Sequence, residues 1–190
     1  MAKRSNARRE LPGSVRIIAG EWRGRRVPIV PGTDVRPTPD RVRETLFNWL
    51  MHTIAGAKCL DLYAGTGALG FEALSRGAAE AWFVEQDPAL VDALAAQAEV
   101  FDVRPRIVRQ NVESLLRGRP PGRFDVVFLD PPYVEPIEPL LDLLPPWLTP
   151  EGVVYVERAS DSGLLEVPRA HWWKRGRAGA VEFGLLRYDV

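Results

Sequence analysis

The chain has 190 residues, of which 46% are hydrophobic and 26% are charged, and its formal net charge is zero. This composition is typical of an ordinary soluble protein of one domain, and no segment approaches the roughly 20 apolar residues of a membrane-spanning helix. Cys59 is the only cysteine, so an internal disulfide is excluded, and with two histidines in the whole chain a His/Cys metal cluster is not expected. The basic N-terminus lacks the apolar stretch of a secretory signal. We therefore expect a cytoplasmic, monomeric protein without a metal.

Basic residues are concentrated at the N-terminal end. Residues 1–43 contain eleven lysine and arginine side chains and four acidic ones, a balance of +7, so the remaining residues sum to −7. A basic end on an acidic body favours docking of a polyanion at one place, because phosphate contacts supply most of the sequence-independent affinity for nucleic acids. Residues 1–13 are polar and end in a Pro-Gly pair, which predicts a flexible basic arm. A solvated arm without a partner explains this stretch equally well.

The arm is followed by a predicted hairpin and helix over residues 14–57. Residues 15–19 and 26–30 have strand character on either side of a Gly-Glu-Trp-Arg-Gly turn. Thr38-Pro39-Asp40 is typical of a helix start, with a hydroxyl cap, a proline at the first position and an acid in the first turn. The buried face is predicted from Val42, Leu46, Trp49 and Leu50 at helical spacing, with Arg41 and Arg43 pointing elsewhere.

The side chains of this segment that we predict to contact the polyanion share a positive charge or a hydroxyl group. They are Arg16, Arg23, Arg25, Arg26, Arg36, Thr38, Arg41 and Arg43.

Strand and helix patterns alternate from residue 58 onward. Strands are predicted over residues 59–63, 81–85, 106–109, 124–130 and 153–156, with two more around 172–174 and 181–187, and helices over about 67–76 and 88–101. The alternation predicts a doubly wound α/β fold with a mostly parallel seven-stranded sheet. We expect residues 58–190 to be the cofactor-binding and catalytic domain, in one compact body with the hairpin and helix.

A glycine loop joins the first core strand to its helix. Gly65, Gly67 and Gly70 match G-x-G-x-x-G, which serves adenosine-containing cofactors, and Glu85 ends the second strand where it can bond a ribose hydroxyl pair. Asp61 favours a cofactor with an ammonium and a sulfonium over one with a pyrophosphate, since two anions repel at close range. The predicted cofactor is therefore S-adenosylmethionine. The predicted contacts are Asp61, Tyr63, Gly65, Gly67, Glu85, Gln86, Asn111 and Val112, the last two at the adenine edge.

The turn Asp130-Pro131-Pro132-Tyr133 ends the fourth core strand, beside the glycine loop. An exocyclic amine of a nucleobase is a poor nucleophile because its lone pair is delocalised into the ring. The carboxylate of Asp130 and the carbonyl of Pro131 can each accept one N–H of such an amine, which aims the lone pair and stabilises the growing positive charge. The two prolines hold that carbonyl rigidly, and Tyr133 offers a ring on which a flipped base can stack. The turn therefore predicts amine methylation.

Several segments resemble one known family. Residues 16–25, 36–50 and 69–77, together with the Asp-Pro-Pro-Tyr turn, are similar to the RsmD family of class I S-adenosylmethionine-dependent methyltransferases, and the resemblance spans residues 15–187. It implies methylation of the N2 amine of a guanine in 16S ribosomal RNA, within the small ribosomal subunit or its assembly intermediate. It also implies cofactor contacts at Asp61, residues 65–67, Glu85, Asn111 and Val112, and catalysis by residues 130–133. The predicted polyanion is then RNA.

The residues alone leave alternatives open. They do not distinguish guanine N2 from adenine N6 or cytosine N4, and DNA adenine and protein glutamine methyltransferases share the Pro-Pro-Tyr turn, although they usually begin it with asparagine. An NAD-dependent oxidoreductase would explain the glycine pattern but would leave the turn starting at Asp130 without a role. A catalytically silent RNA-binding module would use the basic hairpin and neither motif.

Overall fold

The computed structural model describes residues 13–33, 38–132, 136–159 and 167–189. Most of the predicted arm, Arg36 and Tyr133 lie outside the described residues. The N-terminal elements are β1 (Ser14–Arg16), β2 (Arg26–Pro28) and α1 (Asp40–Trp49). They are followed by β3 (Lys58–Leu62), α2 (Ala68–Ser75), β4 (Glu80–Glu85), α3 (Pro88–Val100), β5 (Arg106–Arg109), α4 (Val112–Leu116), β6 (Phe124–Leu129), α5 (Glu138–Leu143), a 3₁₀ turn (Pro145–Trp147), β7 (Leu148–Ala159), β8 (Ala170–Ala178) and β9 (Val181–Tyr188).

Seven strands form one sheet in the order β5-β4-β3-β6-β7-β9-β8. The first five are parallel, and β9 runs antiparallel to both β7 and β8. From β3 the chain builds outward to β4 and β5, then returns to place β6 on the other side of β3. This reversal opens a crevice at the carboxyl ends of β3 and β6, where open α/β sheets bind ligands. The predicted mostly parallel seven-stranded sheet with an N-terminal hairpin is confirmed.

Each face of the sheet carries its own hydrophobic core. Side chains alternate along each strand, so Phe128 of β6 packs on the face covered by α1, α2 and α3, whereas Val127 packs on the face covered by α4 and α5. Both residues are fully buried. Burial on both faces explains the almost continuous apolar run of β6. No helix in the described part of the chain is long and apolar enough to cross a bilayer.

The segment after β1 packs onto α2 through buried polar groups. The backbone N–H groups of Ile18 and Ala19 donate to the carboxylate of Glu72 at 2.7 and 3.0 Å. The hydroxyl of Ser75 accepts from the N–H of Trp22 at 3.0 Å and donates to the carbonyl of Ala19 at 2.6 Å. Trp22 and the buried apolar side chains of α2 belong to one hydrophobic cluster. The N-terminal segment is therefore part of the core on the face of the sheet that α1, α2 and α3 cover.

Three details of the predicted elements are wrong. Pro39, not Thr38, occupies the cap position of α1, and no side chain caps this helix. Arg43 does not point away from the core, since its side chain is fully buried. Strand β7 begins at Leu148 instead of residue 153, with a register shift against β6 between Phe124 and Val126. The short helices α4 and α5 escaped prediction because five or six residues are too few to show a helical period.

Candidate active site

Four carboxylates stand at the carboxyl ends of four neighbouring strands. Glu85 ends β4, Asp61 lies near the end of β3, Asp130 directly follows β6, and Glu157 lies near the end of β7. Asp61 pairs with Phe128 in the sheet register, and strand alternation then directs all four side chains to the face of α1, α2 and α3. The side chains of Asp61, Glu85 and Glu157 are buried, and Asp130 is half-buried. No sequence motif predicts a role for Glu157.

Asp61 fixes the start of α2. Its Oδ2 atom accepts from the N–H of Gly70 at 2.8 Å. Burial raises the pKa of the Asp61 carboxyl well above its ordinary value; the hydrogen bond from Gly70 opposes this, and the charges of Asp130 and Glu85 add to it. Gly70 must be glycine, because a Cβ there would lie 2.3 Å from the ring of Phe83.

Glu85 organises the other side of the glycine loop. Its Oε2 atom accepts from the N–H of Gly65 at 3.0 Å. Its Oε1 atom accepts from the N–H groups of Gln86 and Asp87 at 2.7 and 2.9 Å. Three backbone donors hold the carboxylate in one orientation at the mouth of the crevice. Gly67 allows the tight turn that follows, at φ 77°, where an L side chain is strained.

A small pocket opens beside Glu85, between the ends of β3, β4 and β5. It is lined by Tyr63, Val84, Glu85, Gln86, Gln110 and Val112. Tyr63 has φ 60°, an uncommon backbone conformation for a residue other than glycine and one that is enriched at ligand sites. Asn111 caps α4, with its Oδ1 atom accepting from the N–H of Ser114 at 3.1 Å. A contact between Asn111 and a ligand would therefore use its amide nitrogen.

Asp130 has a hydrogen-bond partner that the sequence did not suggest. The hydroxyl of Thr38 donates to its Oδ2 atom at 3.0 Å, across 92 positions of sequence. Burial raises the pKa of the Asp130 carboxyl from 3.8 to about 8; the negative charge of Glu157 adds to this, and the Thr38 hydrogen bond opposes it. Glu157 in turn accepts from the hydroxyl of Tyr155 at 2.8 Å. Pro131 is buried and Pro132 is exposed, which leaves the turn at the crevice edge.

The prediction that Arg43 contacts the polyanion is wrong for this structure. Its guanidinium is fully buried and pairs with Asp40 at 2.5 Å and with Glu72 at 3.6 Å. It also donates to the main-chain carbonyls of Thr38 and Arg16 at 3.2 and 2.9 Å. Arg43 thus ties α1 and α2 to the segments on either side of the hairpin. Thr38 likewise faces Asp130 and not the surface, since only 6% of it is exposed.

The exposed arginines of this end do not form one surface. Arg16 pairs with Asp40 at 3.3 Å, at the start of α1 and on the crevice side, and Arg26 lies opposite it in the hairpin. Arg41, in the first turn of α1, is exposed at the same end of this helix. By contrast, the guanidinium of Arg25 stacks on the ring of Phe101 at 4.5 Å, beyond the end of α3 and far from the crevice. Arg23 is exposed in the turn that leads to Arg25.

No group of three potential metal-ligating side chains occurs among the described residues.

The sheet order and the crevice define the fold of class I methyltransferases. The model of the family described as "Conserved hypothetical protein 95" matches residues 15–187. A relative from Escherichia coli K12, named "Ribosomal RNA small subunit methyltransferase D", is 45% identical over 186 residues, which cover 94% of this chain and 92% of the relative. The chain belongs to this family, the RsmD family, and the resemblance found in the sequence is confirmed.

Two further proteins show how far the similarity extends. A Haemophilus influenzae relative with the same name is 40% identical, over 92% of this chain and 94% of its own length. The solved structure of the Escherichia coli protein yhhF is 40% identical and superposes with a TM-score of 0.85, covering 93% of this chain and 99% of that one. The similarity therefore includes the hairpin, α1 and the whole sheet.

Proposed function

We propose that the protein transfers a methyl group from S-adenosylmethionine to the exocyclic N2 amine of a guanine in 16S ribosomal RNA. The observation that carries this proposal is the carboxylate of Asp130, which ends β6 at the crevice beside the glycine loop. Thr38 occupies its Oδ2 atom, and no described residue bonds Oδ1. A free acceptor at this point can receive an N–H of the target amine. Family membership and the small-subunit RNA in the relatives' names support the substrate.

The crevice suits a cationic cofactor. The charge effects on Asp61 and Asp130 come from other carboxylates, and no described cation lies among them. The sulfonium and ammonium of S-adenosylmethionine would offset this repulsion, whereas a pyrophosphate would add to it. Bound there, the cofactor supplies an electrophilic methyl group. This charge balance favours it over NAD.

We assign the cofactor contacts to the two sides of the glycine loop. Asp61 and residues 65–67 would contact the amino-acid part of S-adenosylmethionine, and Glu85 would contact its ribose. Tyr63, Gln86 and Val112 line the small pocket beside Glu85, where we place one edge of the adenine. Asn111 stands between Gln110 and Val112, which line that pocket, and its Oδ1 atom accepts from Ser114, so we assign its amide nitrogen to the adenine.

Asp130 and Pro131 align the amine. Oδ1 of Asp130 accepts one N–H, and the carbonyl of Pro131 accepts the other, so the nitrogen lone pair points into the crevice. As the nitrogen gains the methyl group it becomes positive, and the charged carboxylate stabilises it most in the transition state. The surplus proton of the nitrogen passes to Oδ1 of Asp130 and then to water. Tyr133 supplies the stacking ring for the flipped base.

We place the RNA against the basic residues that lie on the crevice side of the hairpin and α1. Arg16, Arg26 and Arg41 are exposed there and are suited to phosphate contacts. The ribosomal small subunit or its assembly intermediate is the expected partner of a monomeric enzyme in the cytoplasm.

Methyl transfer to small subunits and to free 16S RNA, both from cells that lack the endogenous modification, tests the proposal. Mass analysis of the product nucleoside should give N2-methylguanosine. Methyladenosine, methylcytidine, or transfer only to DNA or to protein glutamine would contradict it. Asp125→Asn is a matched control for Asp130 variants, because Asp125 lies at the amino end of the same strand, away from the crevice.

A further inference from the structure

We propose that Thr38 is a positioning residue for methyl transfer: its hydroxyl holds the carboxylate of Asp130 with Oδ1 toward the target amine and favours the charged form. This inference rests on the proposed function. The sequence pattern around Thr38 instead predicted a helix cap or an RNA contact, and nothing in the family comparison assigns this residue a role.

The hydroxyl of Thr38 is not used by the helix that follows. Helix α1 begins at Asp40, Pro39 occupies the cap position, and no side chain caps the first turn. The hydroxyl oxygen of a threonine just before a helix usually accepts from the first N–H groups of that helix. Here the hydroxyl donates to Oδ2 of Asp130 at 3.0 Å instead. The residue that resembles a helix cap in the sequence therefore places a hydrogen-bond donor, its hydroxyl group, in the crevice.

Thr38 is held in place from both sides. Only 6% of it is exposed. The proline that follows restricts its backbone to extended conformations. Its carbonyl accepts from Nε of Arg43 at 3.2 Å, and Arg43 is itself fixed by Asp40 and Glu72. The hydroxyl therefore belongs to a rigid frame that joins α1 and α2, so it can fix the rotation of the Asp130 carboxylate.

The charges that face Asp130 make this donor important. The neighbouring strands carry only acidic groups at this position: Glu157 on β7 and Asp61 on β3 lie on either side of Asp130. Glu85 lies one strand further away, on β4. The guanidinium of Arg43 on α1 donates to the carbonyl of Thr38 and pairs with Asp40 and Glu72. The Thr38 hydroxyl is thus the one side-chain group among the described residues that opposes protonation of Asp130. A protonated Asp130 has lost charge that the transition state needs.

Single-turnover methylation between pH 6 and 9.5, with saturating cofactor and RNA, tests the inference. In the parent protein the rate should rise with pH as Asp130 ionises. Thr38→Val keeps the shape and removes the hydroxyl, so the midpoint should move up by about one pH unit, which lowers the rate about tenfold on the acidic side. Cofactor affinity should stay unchanged. Thr38→Ser restores the hydroxyl and should bring the midpoint back.

Thr149→Val is the matched control. Its hydroxyl also bonds an aspartate, Asp125, at 3.1 Å, but at the opposite end of β6. It should leave the midpoint unchanged. If Thr38→Val does not fold, Thr38→Ala provides the same comparison without added bulk. If the variant without the hydroxyl has the same pH midpoint as the parent protein, the inference is overturned, even if the maximal rate of the variant differs.

Carbon-13 NMR titration of the Asp130 carboxyl in the cofactor-free protein separates this inference from the proposed function. The parent midpoint should lie near pH 8, and Thr38→Val should raise it by about one pH unit. This shift is measured without any turnover. A parent protein that makes no N2-methylguanosine would refute the proposed function, whereas equal midpoints in the parent and Thr38→Val would refute the role of Thr38.

Discussion

Replacing Asp130 with asparagine should stabilise the protein at high pH. The charged carboxylate is held in a half-buried place that faces Glu157, so the pKa of Asp130 rises from 3.8 to about 8. Asparagine has nearly the same shape, carries no charge, and keeps an oxygen that can accept from Thr38. The substitution therefore removes the unfavourable charge and leaves the packing almost unchanged.

The size and the pH window follow from proton linkage. Because the pKa is raised on folding, the folded state binds more protons than the unfolded state between about pH 4 and pH 8, so the free energy of unfolding falls as the pH rises through this window. At about 1.4 kcal/mol for each pH unit, the full difference sets an upper limit of about 6 kcal/mol. Water reaches the half-buried group, so we expect Asp130→Asn to add about 1–3 kcal/mol above pH 8.

Thermal and urea unfolding of the cofactor-free proteins at pH 4 and pH 9 measures this effect. For a chain of this length, the gain at pH 9 corresponds to an increase of roughly 2–12 °C in the melting temperature, with little difference at pH 4. Asp125→Asn is the matched control and should show no such gain at pH 9, because the carboxylate of Asp125 accepts from the N–H of Lys58 at 2.9 Å and from the hydroxyl of Thr149. Equal stability of Asp130→Asn and the parent at pH 9 would refute the account of an unfavourable charge at this site.

Three further predictions concern the reaction and its ligands. Asp130→Ala should lower the single-turnover rate on the order of 10² to 10³ while calorimetry shows nearly unchanged cofactor affinity; a near-parent rate would place the chemistry elsewhere. Glu85→Ala should weaken S-adenosylmethionine binding by roughly 1–3 kcal/mol, and unchanged affinity would remove this residue from the ribose site. Arg16→Gln and Arg41→Gln should each flatten the slope of log RNA affinity against log salt by about 0.7–0.9 for each lost phosphate contact. Arg25→Gln, on the far side, should keep the parent slope, and a parent slope in all three would exclude RNA contact by these side chains.

The parallel sheet and the main features of the crevice were predictable from the sequence. Alternating strand and helix patterns determine this architecture, and the strands that carry Asp61 and Asp130 each end in a short, locally visible motif. Gly70 and Asp61 lie nine positions apart, so their contact follows from the loop spacing. Glu157 could have been found in the same way, because it follows the apolar run 153–156 within β7, but no glycine or proline motif marks it.

The roles of Thr38 and Arg43 could not be read from local patterns. Thr38 fits a helix cap in sequence, and only the docking of α1 against β6 shows that its hydroxyl meets Asp130. Arg43 lies beside the apolar stripe of α1, where a charged side chain ordinarily faces solvent. The hairpin covers that side of the helix, and Glu72, which compensates the buried charge, is 29 positions away. Long-range charge compensation leaves no periodic signal in the sequence.

The docking of the first strands onto α2 has a consequence for synthesis of the chain. Ile18, Ala19 and Trp22 find their hydrogen-bond partners 53 or 54 positions later, in Glu72 and Ser75. During synthesis on the ribosome, the N-terminal segment therefore emerges well before α2, the helix against which it packs. Likewise, Thr38 emerges 92 residues before Asp130, its hydrogen-bond partner. Because contacts between distant positions form only after the intervening chain has been made, the end translated first lacks these partners until α2 has emerged. The nascent chain therefore completes its proposed RNA-binding surface only after Asp130, its proposed catalytic residue, has left the exit tunnel.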